Sequence, residues 1–105
     1  MRVPDYSAYY SMGIHRTGDT FLERTFTVTA DHGDLTKVVI TSYDEVLLSS
    51  EDPEQIAITD AASGVWKIKE QDIELIPRSY EFLVTFTFTD GVERAYIYGT
   101  WTITK

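Results

Sequence analysis

The sequence predicts an all-β domain built as an antiparallel two-sheet sandwich, and three observations carry the prediction. Apolar and polar side chains alternate with a period of two in residues 22–30 and 80–89, as strands with one buried and one wet face require. Short runs of this kind recur at intervals of about ten residues, separated by turns containing Gly, Asp or Pro, which is the rhythm of all-β domains. No strand–helix–strand alternation runs through the chain, so nothing favours a parallel sheet covered by helices.

In chain order, residues 1–18 come first and differ from the rest. They hold Pro4, Tyr6, Tyr9, Tyr10, Met12, Gly13 and Gly18, show neither a strand nor a helix period, and read as an extended N-terminal arm. Two outcomes are open for it. The arm wraps its own domain or frays, as termini do; or Tyr6, Tyr9, Tyr10 and Met12 dock on a neighbouring subunit, since aromatic and Met side chains are enriched in interface cores.

Residues 19–105 form the sandwich. In 22–30, Leu22, Phe26, Val28 and Ala30 share one parity, and Thr25, Thr27 and Thr29 the other. Candidate strands follow at 37–43, 46–49, 56–59 and 65–69, the last with Trp66 and Ile68 on one face, and turn-rich stretches at 31–34, 50–54 and 60–64 separate them. Residues 70–76 have mild helical character that Pro77 ends, which allows one turn of helix or a crossover. In 80–89, Tyr80, Phe82, Val84, Phe86 and Phe88 oppose Glu81, Leu83, Thr85, Thr87 and Thr89. A helix would scatter those five large residues around its circumference. Asp90-Gly91 then supplies a hairpin turn into 92–104, where Gly99 makes either one bulged strand or two short ones.

These elements give seven to eight strands, and an antiparallel sandwich of that size is of immunoglobulin type, with a small barrel as the alternative. The chain has no cysteine, so no disulfide pins the two sheets. The core must rest on Phe26, Val28, Val38, Ile40, Ile58, Trp66, Ile68, Phe82, Val84, Phe86, Phe88, Trp101 and Ile103, each contributing ~1.5–3 kcal/mol when fully buried.

Composition narrows the function. Seventeen acidic and nine basic side chains give the 105-residue chain a formal charge of −8. The arm carries +2 and −1, and the body +7 and −16. So acidic a body argues against nucleic acid as a partner, because phosphate binding needs clustered Lys and Arg. No apolar run is long enough to span a membrane, and none resembles a signal peptide, so no membrane association is expected and synthesis in a cytoplasm is.

Catalytic motifs are missing. His15 lies in the arm and His32 in an Asp-His-Gly-Asp turn, neither with a companion nucleophile, and the lack of cysteine excludes thiol chemistry and thiolate metal sites. Asp31, Asp34, Asp44, Glu45, Glu51, Asp52 and Glu54 supply oxygens of the kind calcium takes, but their spacing matches no EF-hand loop and acidic loops are mostly solvated. Neither a metal nor any other cofactor is expected. Surface features remain: the outward threonines suit solvent or pairing with another copy, and Arg94, Tyr96 and Tyr98 on the last hairpin form a candidate partner face.

Several turn and strand pieces recur in a fixed order: Gly18-Asp19-Thr20-Phe21 before the first strand, Asp34-Leu35-Thr36 before the second, and 58–64 (Ile-Thr-Asp-Ala-Ala-Ser-Gly) before the Trp66 strand. Pro77-Arg78-Ser79-Tyr80-Glu81-Phe82, Thr89-Asp90-Gly91 and Gly99-Thr100-Trp101-Thr102-Ile103 complete the series. Over residues 18–104 this order resembles the small immunoglobulin-like domains of structural proteins in tailed bacteriophages, including baseplate and tail accessory proteins. Ser79 departs from that pattern, which often has glycine before the tyrosine, and so does Leu83-Val84, where an acidic residue is usual.

The resemblance implies a virion building block rather than an enzyme, acting in the tail, baseplate or head–tail region. Its partners would be other virion proteins and further copies of itself in a symmetric array. A capsid decoration protein is an alternative within the same setting. A carbohydrate or host-surface module is an alternative outside it, and would need Trp66, Trp101, Tyr96 and Tyr98 to be exposed.

Overall fold

The computed structural model describes residues 8–29 and 33–105. Ten strands lie among them: β1 (Ala8–Arg16), β2 (Thr20–Phe21), β3 (Arg24–Thr27), β4 (Leu35–Ser42), β5 (Glu45–Ser49), β6 (Ile56–Asp60), β7 (Val65–Ile68), β8 (Gln71–Asp72), β9 (Arg78–Phe88) and β10 (Glu93–Thr104). They make a five-stranded sheet in the order β1-β10-β9-β4-β5, a three-stranded sheet β3-β7-β6, and a short ladder β2-β8. The protein is all-β.

The central strand of the large sheet is β9, and its sequence dictates that place. Tyr80, Phe82, Val84, Phe86 and Phe88 are buried, while the residues between them are exposed or half-exposed. β4 and β10 flank it antiparallel. β10 is one strand with a bulge between Ala95 and Ile97, which resolves the ambiguity at Gly99. The buried faces meet through aromatic rings. Trp66 of β7 stacks on Phe26 of β3 with centroids 4.6 Å apart and meets Phe86 of β9 at 5.6 Å. Phe21 of β2 meets Trp101 of β10 at 5.4 Å.

Four expectations are corrected. The large sheet is mixed, because β1 runs parallel to β10. These strands come from opposite ends of the chain, so no tight turn forces them antiparallel. Part of the expected arm is therefore an edge strand, with Met12 at 1% exposure inside the core. The strand count among the described residues is ten rather than seven to eight, and β1 and the two-residue β2 and β8 contribute to the excess. Residues 70–76 are not helical: Ile73 is buried and Leu75 half-buried, while Asp72, Glu74 and Ile76 are exposed, a period of two. The strand expected over 22–30 is confined to Arg24–Thr27, with Leu22 exposed and Ala30 outside the described residues.

Most of the expected core is buried, with Phe26 and Ile58 packed at its margin. Met12, Phe21, Leu35, Ile56 and Ile73 join it.

Candidate binding face

The five-stranded sheet has one face in the core and one in solvent, and the solvent face collects apolar side chains. Register fixes the arrangement. Tyr98 lies opposite Leu83, Thr41 opposite Leu83 on the other side, Tyr9 beside Tyr98, and Val46 beside Thr41. One row of Tyr9, Tyr98, Leu83, Thr41 and Val46 thus crosses all five strands without a charge. Side-chain contacts agree: Tyr9 and Tyr98 pack edge to face at 5.5 Å, and the Tyr9 hydroxyl lies 2.9 Å from Thr100 Oγ1.

Large apolar residues are rarely left in water without reason when they cluster. Of six such exposed residues among those described, four lie on this face: Tyr9 (57%), Ile14 (75%), Tyr43 (81%) and Val46 (57%). Tyr43 is tied to the face by donating its hydroxyl hydrogen to Glu81 Oε2 at 3.3 Å. Over Val39 and Val46 the face dips into a shallow hollow of about 400 Å³, walled by Lys37, Glu51 and Asp52. Lys37 and Glu51 form an exposed ion pair at 2.6 Å, which raises the ammonium pKa and lowers the carboxyl pKa. So solvated a pair adds little stability.

The residues singled out from sequence are divided by the structure. Tyr9 and Tyr98, assigned separately to the arm and to the hairpin, come together. Tyr10 and Met12 turn inward: the Tyr10 ring packs on Phe26 at 5.2 Å, and its hydroxyl accepts a hydrogen bond from Arg24 Nη1 at 2.8 Å. Arg94 is in register with inward-facing Phe86, and Tyr98 with outward Leu83, so Arg94 does not join Tyr98. Tyr6 and the Tyr96 side chain lie outside the described residues, as do Asp31 and His32. Leu83, Val39 and Val46 were missed. Their signal was an apolar residue at the outward parity of a strand, clearest for Leu83 among the glutamate and threonines of β9.

Among the described residues, neither the interior cavity nor the acidic side chains form a second site. A cavity of about 170 Å³ is lined by Phe21, Leu47, Leu48, Ile73, Leu75 and Trp101, with Gln55 and Gln71 at its polar side. Both amides are already engaged: Gln71 Nε2 donates to the carbonyls of Gln55 and Lys69, and Gln55 Oε1 accepts from the Ser49 N–H. Among the described residues no group of three or more His, Asp or Glu is placed to hold a metal ion.

His15 is a titratable group altered by the fold. Its ring lies 5.1 Å from Phe21 and 6.0 Å from Trp101, and Nδ1 accepts the Trp101 indole hydrogen at 3.0 Å. Burial, then the Arg24 guanidinium, hold the imidazole below its ordinary 6.5, with Asp19 opposing. A protonated Nδ1 also loses its capacity to accept that bond. Because the folded state disfavours the proton, this contribution to stability is complete above pH 6.5 and is lost as the pH falls below it. The thermal midpoint is expected to drop between pH 7.5 and pH 5, at roughly those test values, and His15→Gln should remove part of the drop. Identical pH profiles for the two proteins would contradict this.

No protein-family model matches the chain, and no curated protein matches it.

Proposed function

We propose that the protein is an immunoglobulin-like sandwich that serves as a non-catalytic structural component of a tailed-bacteriophage virion, in the tail, baseplate or head–tail region. Assembly proceeds through the solvent face of the five-stranded sheet. The observation that carries the assembly role is the uncharged row across that face, which together with Ile14 and Tyr43 exposes four large apolar side chains.

Two features support the immunoglobulin-like part. Taking β3, β4, β5, β6, β7, β9 and β10 as strands B, C, C′, D, E, F and G gives sheets G-F-C-C′ and B-E-D, the partition of that fold. Tyr80, near the start of β9, donates its hydroxyl hydrogen to the Ile76 carbonyl at 2.8 Å, as does the tyrosine that pins the corner before strand F. The phage setting rests on the ordered turn pieces over 18–104.

A sugar-stacking role for the tryptophans finds no support, since Trp66 and Trp101 are 1% and 2% exposed. Their emission is expected to be blue-shifted and resistant to iodide; red-shifted, readily quenched emission would contradict their burial. For the virion role, particles assembled without this gene product should bind the purified protein saturably, at a stoichiometry matching particle symmetry. Absence of binding would overturn the assignment.

A further inference from the structure

We propose that the solvent face of the five-stranded sheet receives the same face of a second copy, about a two-fold axis running along β9. This rests on reading the face as an assembly surface, and adds the identity and geometry of the partner.

The face is self-complementary about that line. β9 is the middle strand of five, so a half-turn about it exchanges β1 with β5 and β10 with β4. On one flank the Tyr9 and Tyr98 rings pack into a ridge; on the other lies the hollow over Val39 and Val46. With strands ~4.8 Å apart, both features sit one to two strands from β9. The half-turn sets each ridge against the partner's Thr41 and Val46, at the edge of the hollow, twice per dimer, and brings Leu83 against the partner's Leu83 on the axis.

Charge fits the same operation. Glu93 on β10 and Lys37 on β4 are both in register with Thr87 of β9, so the half-turn places Glu93 opposite the partner's Lys37. The outward strand positions hold Arg16 and Lys37 against Glu81 and Glu93, and Glu51 and Asp52 wall the hollow beside them. Five strands by about nine residues make a face on the order of 700 Å², close to the ~800 Å² that each partner contributes to a stable interface. A flat, β-branched and aromatic sheet face is itself the surface such a face packs against.

One contact opposes the pairing. Glu81 lies on the axis, facing the partner's Glu81, and the Tyr43 hydroxyl holds it at 3.3 Å. That contact makes the geometry testable.

Sedimentation equilibrium of the wild type should show a species of twice 12.0 kDa. Leu83→Glu should stay at 12.0 kDa with unchanged circular dichroism and tryptophan emission, because Leu83 is on the wet face. Glu81→Gln should tighten the dimer about fivefold by removing the on-axis repulsion. A wild type that remains monomeric at several hundred micromolar, at about that concentration, lacks the affinity a standard interface provides and overturns the proposal. So does a dimer that Leu83→Glu leaves intact, and a dimer that Glu81→Gln leaves unchanged or loosens overturns the axis. Failure here is separable from failure of the virion role: a monomer that still binds deficient particles loses only the dimer, and a dimer that does not bind them loses only the virion role.

Discussion

Phe86→Ala is expected to lower the unfolding free energy by about 3–5 kcal/mol, a large part of the ~5–15 kcal/mol typical of a domain. Phe86 is wholly buried on the central strand and meets Trp66, which in turn stacks on Phe26. Its ring therefore joins β9 to both β7 and β3. Removing it leaves a cavity that close-packed strands on either side cannot collapse to fill. Urea denaturation followed by tryptophan emission measures the loss, with the thermal midpoint falling by roughly 15–30 °C. Thr85→Ala, one residue away on the wet face, is the control, and should change stability by no more than about 1 kcal/mol. A Phe86→Ala loss as small as the control's would contradict the placement of this stack at the centre of the core.

Gly99→Ala is expected to lift β1 from the sheet. A methyl group on Gly99 would meet the carbonyl oxygen of Tyr10, with the Tyr10 carbonyl carbon at 2.8 Å and Phe82 Cζ at 2.9 Å. The obstacle is backbone, which cannot rotate aside as a side chain does. β1 must move, and Met12 with it. Gly13 and Gly91 provide the contrast: both have positive φ and open space where a methyl would go, so alanine there costs only the ~1–2 kcal/mol of left-handed backbone strain. Amide exchange across Ala8–Arg16 should quicken in Gly99→Ala while β9 and β4 stay protected, with about 2–3 kcal/mol lost overall. Wild-type exchange rates in β1 would show that the strand does not depend on this close approach.

The contrast between β9 and β1 shows why some of the fold was legible in the sequence. β9 is covered on one face and wet on the other along its whole length, so its residues alternate cleanly and the strand can be read from them alone. β1 has the same two faces, but the irregularity at Met12 shifts its register between Ser11 and Gly13. Tyr10 and Met12 share one parity, while His15, which also packs inward, falls on the other, and the alternation disappears. Its parallel pairing leaves no local mark either, because no turn connects β1 to β10.

Residues 71–76 were hidden differently. Ile73 and Leu75 alternate with Glu74 and Ile76, but over so few residues Pro77 looks like the end of a helix. The binding face was half legible. Tyr9 and Tyr98 were marked by their chemistry, yet eighty-odd residues separate them, at about that spacing, and only strand register could bring them together. Leu83 carried a local signal, a leucine where its neighbours are glutamate and threonine.

Incorporation into particles tests most directly the proposal that the protein assembles through the solvent face of the five-stranded sheet. Particles formed without the gene product would be supplied with wild type, with Leu83→Glu on that face, or with Thr25→Glu on exposed β3 of the other sheet, and bound protein quantified per particle. Wild type and Thr25→Glu should incorporate to the same level and Leu83→Glu should not, while all three remain folded by circular dichroism. Incorporation of Leu83→Glu at the wild-type level would contradict the claim.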